Sequence, residues 1–203
     1  NPPPNYSLDN PETFTTYKEL AMAIRENGAV ASMELMTSMV RVKGAEDLGS
    51  LFEANPAVMA MTESEMDELA EKYANAAAFA VRAGFEMLLI HFGHGGFMHQ
   101  FLSPLTNRRT DGYGGTPQKR GRLARTVLER IRERVGDQIP IELRLSVDEL
   151  VEGGITVKDS ITFLQYVKDI VDLAHCSVGV HEVPALCARM HASTYWEQGC
   201  NLY

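Results

Sequence analysis

The sequence predicts an α/β protein built on parallel strands, and three observations carry that prediction. Amphipathic helical stretches and short apolar runs alternate along the 203 residues, the pattern in which helical crossovers join parallel strands. Each apolar run carries a polar residue towards its second half or just beyond it: Glu34, His91, Arg144 and His175. No G-x-G-x-x-G follows any run, which weighs against a dinucleotide-binding fold. Periodicity by itself leaves two architectures open, a closed eight-stranded barrel and an open doubly wound sheet.

Residues 1–11 hold four of the nine prolines and read as an entry loop, because proline lacks the backbone donor and restricts its predecessor. Phe14, Tyr17, Leu20, Ala21 and Ile24 fall three and four apart, one face of a helix over 13–26, and Asn27-Gly28 supplies its stop. A strand is expected at 29–36. Residues 37–61 show no sustained period and read as a loop at the active-site end. Thr62 with Glu65 forms a capping box for an alanine-rich helix that ends at Gly84. A strand at 85–90 then runs into His91, His94 and a long polar loop to residue 115. A helix at 120–135, stopped by Gly136, precedes a strand at 140–147, where Ile141, Leu143 and Leu145 alternate with Glu142 and Arg144. A helix at 157–168 and a strand at 171–178 complete the series.

Composition narrows the function classes. With 45% hydrophobic and 23% charged residues, the chain belongs to the ordinary globular class, and no apolar run approaches the roughly 20 residues that span a bilayer. The polar, proline-rich start has no signal-peptide pattern, so a cytoplasmic location is expected, with no membrane partner. A formal charge of -8 argues against a nucleic-acid partner, since that affinity rests on clustered cations. The basic stretch from Arg120 to Arg134 reads as a solvated helical face. Cys176, Cys187 and Cys200 fit no C-x-x-C spacing and read as reduced structural thiols.

The chemistry is expected where the strands end. A charge inside a parallel sheet costs on the order of several kcal/mol unless it is paired or solvated, so four polar groups at matching depths imply one shared site. His91 and His94 could bind metal, donate to a carbonyl, act as acid and base, or simply be satisfied by backbone. No third ligand accompanies them at a recognised spacing, so no metal is assigned; two imidazole N–H groups facing a developing oxyanion would polarise it. Arg144 keeps its charge and offers five donors, so it needs an anionic or electron-rich partner; a buried ion pair with Glu34 or Glu142 is the alternative. Residues 107–115 read alone as a turn-rich loop held by charged side chains.

The stretch HFGHGGFMHQFLSPLTNRRTDGYGG, from His91 to Gly115, resembles the segment after the fourth barrel strand in the Old Yellow Enzyme family of flavin-dependent ene-reductases. Residues 119–123 resemble that family's N-R-x-R-F segment, IELRLSVDELVEGG its fifth strand, DLAHCSVG its sixth, and ASTYWEQGCN a later loop of the larger bacterial members, the 2-enoate and 2,4-dienoyl-CoA reductase type. The resemblance implies a (β/α)8 TIM barrel of which this chain covers about strands 3 to 6, so that residues 1–203 form a partial flavin-binding barrel domain. It also implies FMN as cofactor, NADH or NADPH as reductant, and a small-molecule substrate with an activated C=C bond. His91 and His94 would hold the substrate's carbonyl oxygen, Arg144 would stabilise the reduced flavin near N1 and O2, and Glu34 falls where many members have a glutamine on the flavin pyrimidine edge.

Several departures accompany the resemblance. Many members carry a proton-donating tyrosine two residues after the second member of the pair; here that position is Gly96. A histidine frequent in the third strand is replaced by Met36-Thr37. The resemblance starts after the family's first two strands and stops after the sixth, so the flavin-phosphate segments of strands seven and eight are missing. Four strands leave unpaired edges prone to association as a homo-oligomer, and the chain is expected to be part of a longer polypeptide. The larger members also carry an iron-sulfur cluster and a second nucleotide site for FAD, whose cysteines are not visible here. A non-catalytic relative that does not retain flavin, and a metal-dependent barrel hydrolase, are the rival readings.

Overall fold

Four parallel strands, each reached through helical connections, form one sheet in the order β1-β2-β3-β4. The computed structural model describes residues 11–37 and 53–180. Most of the expected entry loop, the middle of the expected 37–61 loop, the ASTYWEQGCN segment, Cys187 and Cys200 lie outside the described residues.

Helix α1 (Pro11–Glu26) begins at a proline expected in the loop, a position where the missing N–H costs nothing. It docks on α3 (Glu63–Arg82) through edge-to-face contacts of Phe14 and Tyr17 with Phe79, at ring separations of 5.4 and 5.8 Å. Leu20, expected on this buried face, is half exposed instead. Gly28 ends the helix at φ 81, leading into strand β1 (Ser32–Leu35).

Within the expected loop at 37–61 the structure places a short helix, α2 (Pro56–Ala60). Asn55 caps it, its Oδ1 accepting from the N–H groups of Ala57 and Val58, and Pro56 is preset for the first helical position. Both signals were present in Asn55-Pro56, but a helix of one turn has no period to detect. Thr62 and Glu65 form the predicted capping box of α3. The buried face of α3 combines Met66, Leu69, Tyr73 and Phe79 with alanines at 70, 74, 76, 77 and 80.

Strand β2 (Met87–Phe92) starts and ends two residues later than expected, so His91 sits inside the strand. The long polar loop after it contains helix α4 (Phe97–Leu102), all six residues of which are buried. The helix expected at 120–135 is broken at Gly121 into α5 (Pro117–Arg120) and α6 (Arg122–Val135). Strand β3 (Ile141–Ser146), helix α7 (Val157–Val167) and strand β4 (Leu173–Ser177) follow.

The basic stretch is not simply a solvated face. Arg120 is buried and donates from Nε to the Leu102 carbonyl at 2.6 Å and from Nη1 to that of Gly115. Arg125 grips Asp169, Arg132 grips Asp172, and Arg134 reaches Glu71 on α3.

The two sheet faces differ in chemistry. Met33, Leu35, Leu88, Ile90, Phe92, Ile141, Leu143 and Leu145 are buried on the helix-covered face. Glu34, His91, Arg144 and His175 alternate with these and so point to the opposite face. No described helix is long and apolar enough to cross a membrane.

Candidate functional site

Strand register assembles the site. His91 pairs with Arg144 and Arg144 with His175 across the parallel ladder, so these three side chains form one row on the polar face. Glu34 pairs with Leu89 and Glu142 with Leu173, both in the neighbouring row. The four groups read from the sequence therefore lie on one sheet face, with Glu34 one row behind the others. Glu34 Oε1 lies 2.6 Å from His91 Nδ1, and Glu142 Oε1 lies 2.7 Å from His175 Nδ1.

His94 is brought onto His91 by a local backbone device. Its φ of 57 lies in the left-handed region, which costs a non-glycine residue on the order of 1 kcal/mol. Ser146 offsets that cost: its Oγ accepts from the His94 N–H at 2.8 Å and donates to the Gly179 carbonyl at 2.8 Å. Gly93 permits the approach, because a Cβ there would meet the Ser146 nitrogen at 2.9 Å. The result is a His91 Nε2 to His94 Nδ1 distance of 2.8 Å, with His94 Nε2 in turn 2.6 Å from Ser177 Oγ.

Hydrogen-bond chemistry gives this chain of contacts a direction. With Glu34 as a carboxylate, His91 Nδ1 carries the hydrogen between them. A neutral His91 then accepts at Nε2, so His94 donates from Nδ1 and accepts at Nε2 from the Ser177 hydroxyl. Both nitrogens of both rings are occupied. For His91 to donate from Nε2 as well, it must become an imidazolium, and Glu34 supplies the counter-charge.

Arg144 occupies the middle of the row. Its Nε is buried and has no hydrogen-bond partner among the described residues. The alternative of an ion pair with Glu34 or Glu142 does not hold, since Glu34 engages His91 and Glu142 engages His175. A buried guanidinium N–H without an acceptor is expensive, and an electron-rich ring laid against this face would satisfy it. The buried Nε of Arg144 therefore calls for an acceptor on this face, and the residues present are compatible with FMN.

The motif after the histidines proves to be scaffold. Gln100 accepts from Asn55 Nδ2 at 2.5 Å and donates to the Gly95 carbonyl at 3.0 Å, tying α2 to the turn after His94. Asn107 Nδ2 donates to the carbonyls of Phe101 and Tyr113. Arg109 Nη1 gathers the carbonyls of Val58, Met59 and Met61 at the end of α2, while the Arg109 guanidinium holds the Asp111 carboxyl below the usual range. Gly114 lies so close to Arg109 that a Cβ would meet the Arg109 carbonyl oxygen at 1.9 Å. Beside this loop, His99 Nε2 lies 2.7 Å from Glu149 Oε1 in the interior. Glu149 Oε2 also accepts from Ser103 Oγ and the Ile155 N–H. Burial pushes the Glu149 carboxyl up, but the His99 contact and the Ile155 and Ser103 hydrogen bonds outweigh it and leave the group below its ordinary value.

Ser146, Ser177 and the His99–Glu149 pair were missed in reading the sequence. The serines had a detectable signal: each stands two positions beyond a polar residue already singled out, Arg144 or His175, and so faces the same way. Gly96 caps α4 without any side chain. Among the described residues no group of three or more His, Cys, Asp or Glu could hold a metal ion, and Cys176 is exposed on β4.

Comparison with known proteins places this arrangement. An NADH oxidase of Thermoanaerobacter brockii is 32% identical over 209 residues, covering 97% of this chain and 31% of that protein. An NADPH dehydrogenase of Bacillus subtilis (strain 168) is 32% identical over 177 residues, covering 83% of this chain and 51% of its own length. The chain therefore spans about a third to a half of these relatives. The crystal structure of Old Yellow Enzyme from Pichia sp. AKU4542 superposes with a TM-score of 0.59 at 25% identity, over 80% of this chain and 47% of that one. The four-stranded parallel sheet is thus part of a (β/α)8 TIM barrel. Residues 6–182 match the family model described as NADH:flavin oxidoreductase / NADH oxidase family, and the chain belongs to that family.

Proposed function

We propose that the protein is a flavin-dependent oxidoreductase that reduces, or in reverse introduces, the C=C bond of an α,β-unsaturated carbonyl compound, with FMN as cofactor and NADH or NADPH as reductant. The single observation that supports this best is the register row itself. It sets a buried Arg144 N–H without an acceptor beside the His91–His94 imidazole pair. FMN, when bound, supplies the hydride. Arg144 would balance negative charge on the reduced ring, and His91 and His94, on exchanging their mutual hydrogen bond for the substrate's oxygen, would draw charge onto it. Glu34, placed as an acceptor to His91, acts on the imidazole in this reading and would also hold the flavin's pyrimidine edge. The substrate is a small molecule, and a cytoplasmic, homo-oligomeric protein fits the same reading.

The test is spectroscopic. The whole protein should purify with a flavin absorbance that bleaches under NADH or NADPH without oxygen and returns on adding 2-cyclohexen-1-one. Absence of flavin, or a bleached flavin that no enone reoxidises, would defeat the reading. A second reading, a relative that does not retain flavin, is favoured by Gly96 alone. His91→Ala and His94→Ala separate the two: in the enzyme each abolishes the long-wavelength band that phenols produce over a bound flavin.

A further inference from the structure

His94 meets His91 with its backbone in the left-handed region, at φ 57, and a residue with a Cβ leaves that region unless something holds it there. Resting on the ene-reductase reading above, we propose that Ser146 is a positioning residue of the substrate-oxygen site. Buried at the end of β3, it holds His94 in the row and so sets how tightly the imidazole pair grips an oxygen ligand.

One hydroxyl acts on both sides of His94. Ser146 Oγ accepts from the His94 N–H at 2.8 Å and donates to the Gly179 carbonyl at 2.8 Å, and the residue is 3% exposed. Gly179 precedes Val180, which forms an isolated parallel bridge with His94. The Ser146 hydroxyl therefore fastens His94 directly and also fixes the segment against which His94 is seated. That segment is tied to β3 independently: the Gly179 N–H donates to the Asp148 carbonyl at 2.8 Å, and the Val147 N–H to the Ser177 carbonyl at 2.8 Å. The ends of β3 and β4 thus form a frame, and the turn after β2 is fastened to it at Ser146.

The other contacts of this turn hold different atoms. Gln100 Nε2 donates to the Gly95 carbonyl at 3.0 Å, and the Gly96 N–H to the Gly93 carbonyl at 3.2 Å; both fix the exit of the turn. Ser177 Oγ meets His94 Nε2 at 2.6 Å, which restrains the ring and leaves the backbone free to turn. Gly93 lets the frame come close, since a Cβ there would meet the Ser146 nitrogen at 2.9 Å and its Oγ at 3.2 Å. With Ser146→Ala, the His94 N–H loses this acceptor and the backbone relaxes out of the left-handed region. The ring then leaves its 2.8 Å contact with His91, and an oxygen ligand meets one ordered imidazole instead of two.

Phenols probe the oxygen site without turnover, through their long-wavelength band over bound flavin. In the whole, flavin-loaded protein, Ser146→Ala should weaken 4-chlorophenol binding about tenfold, the scale of one lost hydrogen bond. In a His94→Asn background the same substitution should cost less than about threefold, because asparagine keeps a donor for the oxygen and occupies the left-handed region with less strain. Ser146→Cys fills the same space with a weaker acceptor and should cost about threefold or more, which keeps the test open if Ser146→Ala does not fold. A phenol affinity within about twofold of the parent in Ser146→Ala, or in Ser146→Cys should it be the variant that folds, would overturn the proposal. Equal losses in the parent and His94→Asn backgrounds would overturn it too, since Ser146 would then act on the sheet end as a whole and not through His94. A parent protein that gives no band with the phenol would instead refute the flavin-site reading. Amide hydrogen exchange would still judge the positioning: Ser146→Ala should speed exchange at the His94 N–H by about tenfold or more, and an unchanged rate would overturn it.

Discussion

His91 and His99 each hold a glutamate at nearly the same distance, 2.6 Å to Glu34 and 2.7 Å to Glu149, and the two pairs do different work. The His99–Glu149 side chains are 1% and 3% exposed, and both Glu149 oxygens have donors in Ser103, Ile155 and His99. That pair pins α4 to the loop after β3, where a Cβ on Gly154 would meet Glu149 Oε2 at 2.6 Å. The Glu34 side chain is 41% exposed, on a sheet face that carries Arg144 and His175. Burial decides the role: a closed pair fixes loops, and an open one can exchange protons.

The largest effect on stability is expected at the closed pair. Glu149→Ala leaves His99 and the Ile155 N–H without their acceptor in the interior, which costs about 3–5 kcal/mol when one partner of a buried pair is removed. Equilibrium denaturation in urea measures it. A loss below about 1 kcal/mol would put this pair in the same class as an exposed one and erase the contrast.

Acid should expose the same asymmetry with a smaller effect. The folded Glu149 carboxyl lies below its ordinary value of 4.5, so its contribution is complete above that value and disappears as pH falls through the lower, folded one. Asp111, Asp169 and Asp172 are also lowered by their arginines and backbone donors and add to the loss over the same acidic range. The stability gap between the parent protein and Glu149→Gln should therefore be widest near neutrality and narrow below about pH 4. A gap that stays constant with pH would mean that the Glu149 charge contributes nothing.

Much of this organisation was legible because it depends on local rules. Alternating periods exposed the parallel sheet, Thr62 and Glu65 marked the start of α3, and polar residues late in each strand marked the shared site. The errors share a cause as well. Helix α2 is a single turn, and α4 is buried on every side, so neither shows an amphipathic period. Residues 107–115 read from the sequence as a turn-rich loop held by charged side chains, and the hydrogen bonds of Thr106, Asn107 and Arg109 do run inward to backbone. Long-range partners such as Glu34 with His91 and Glu149 with His99 depend on register and crossover geometry, which no local pattern encodes.

The smallest stability effect is expected at the open pair. Glu34→Gln keeps an oxygen that can accept from His91 Nδ1 and removes the charge of a side chain that is 41% exposed, so stability should change by less than about 1 kcal/mol. Function should respond in the opposite sense. A neutral amide gives the His91 imidazolium no counter-charge next to Arg144, so reoxidation of the flavin by an enone should slow by roughly tenfold or more. Denaturation midpoints and single-turnover reoxidation of the same preparation measure both quantities. If Glu34→Gln destabilised the fold as much as Glu149→Ala, Glu34 would be a fastening like Glu149. If it changed neither quantity, the short contact to His91 would carry no charge worth balancing.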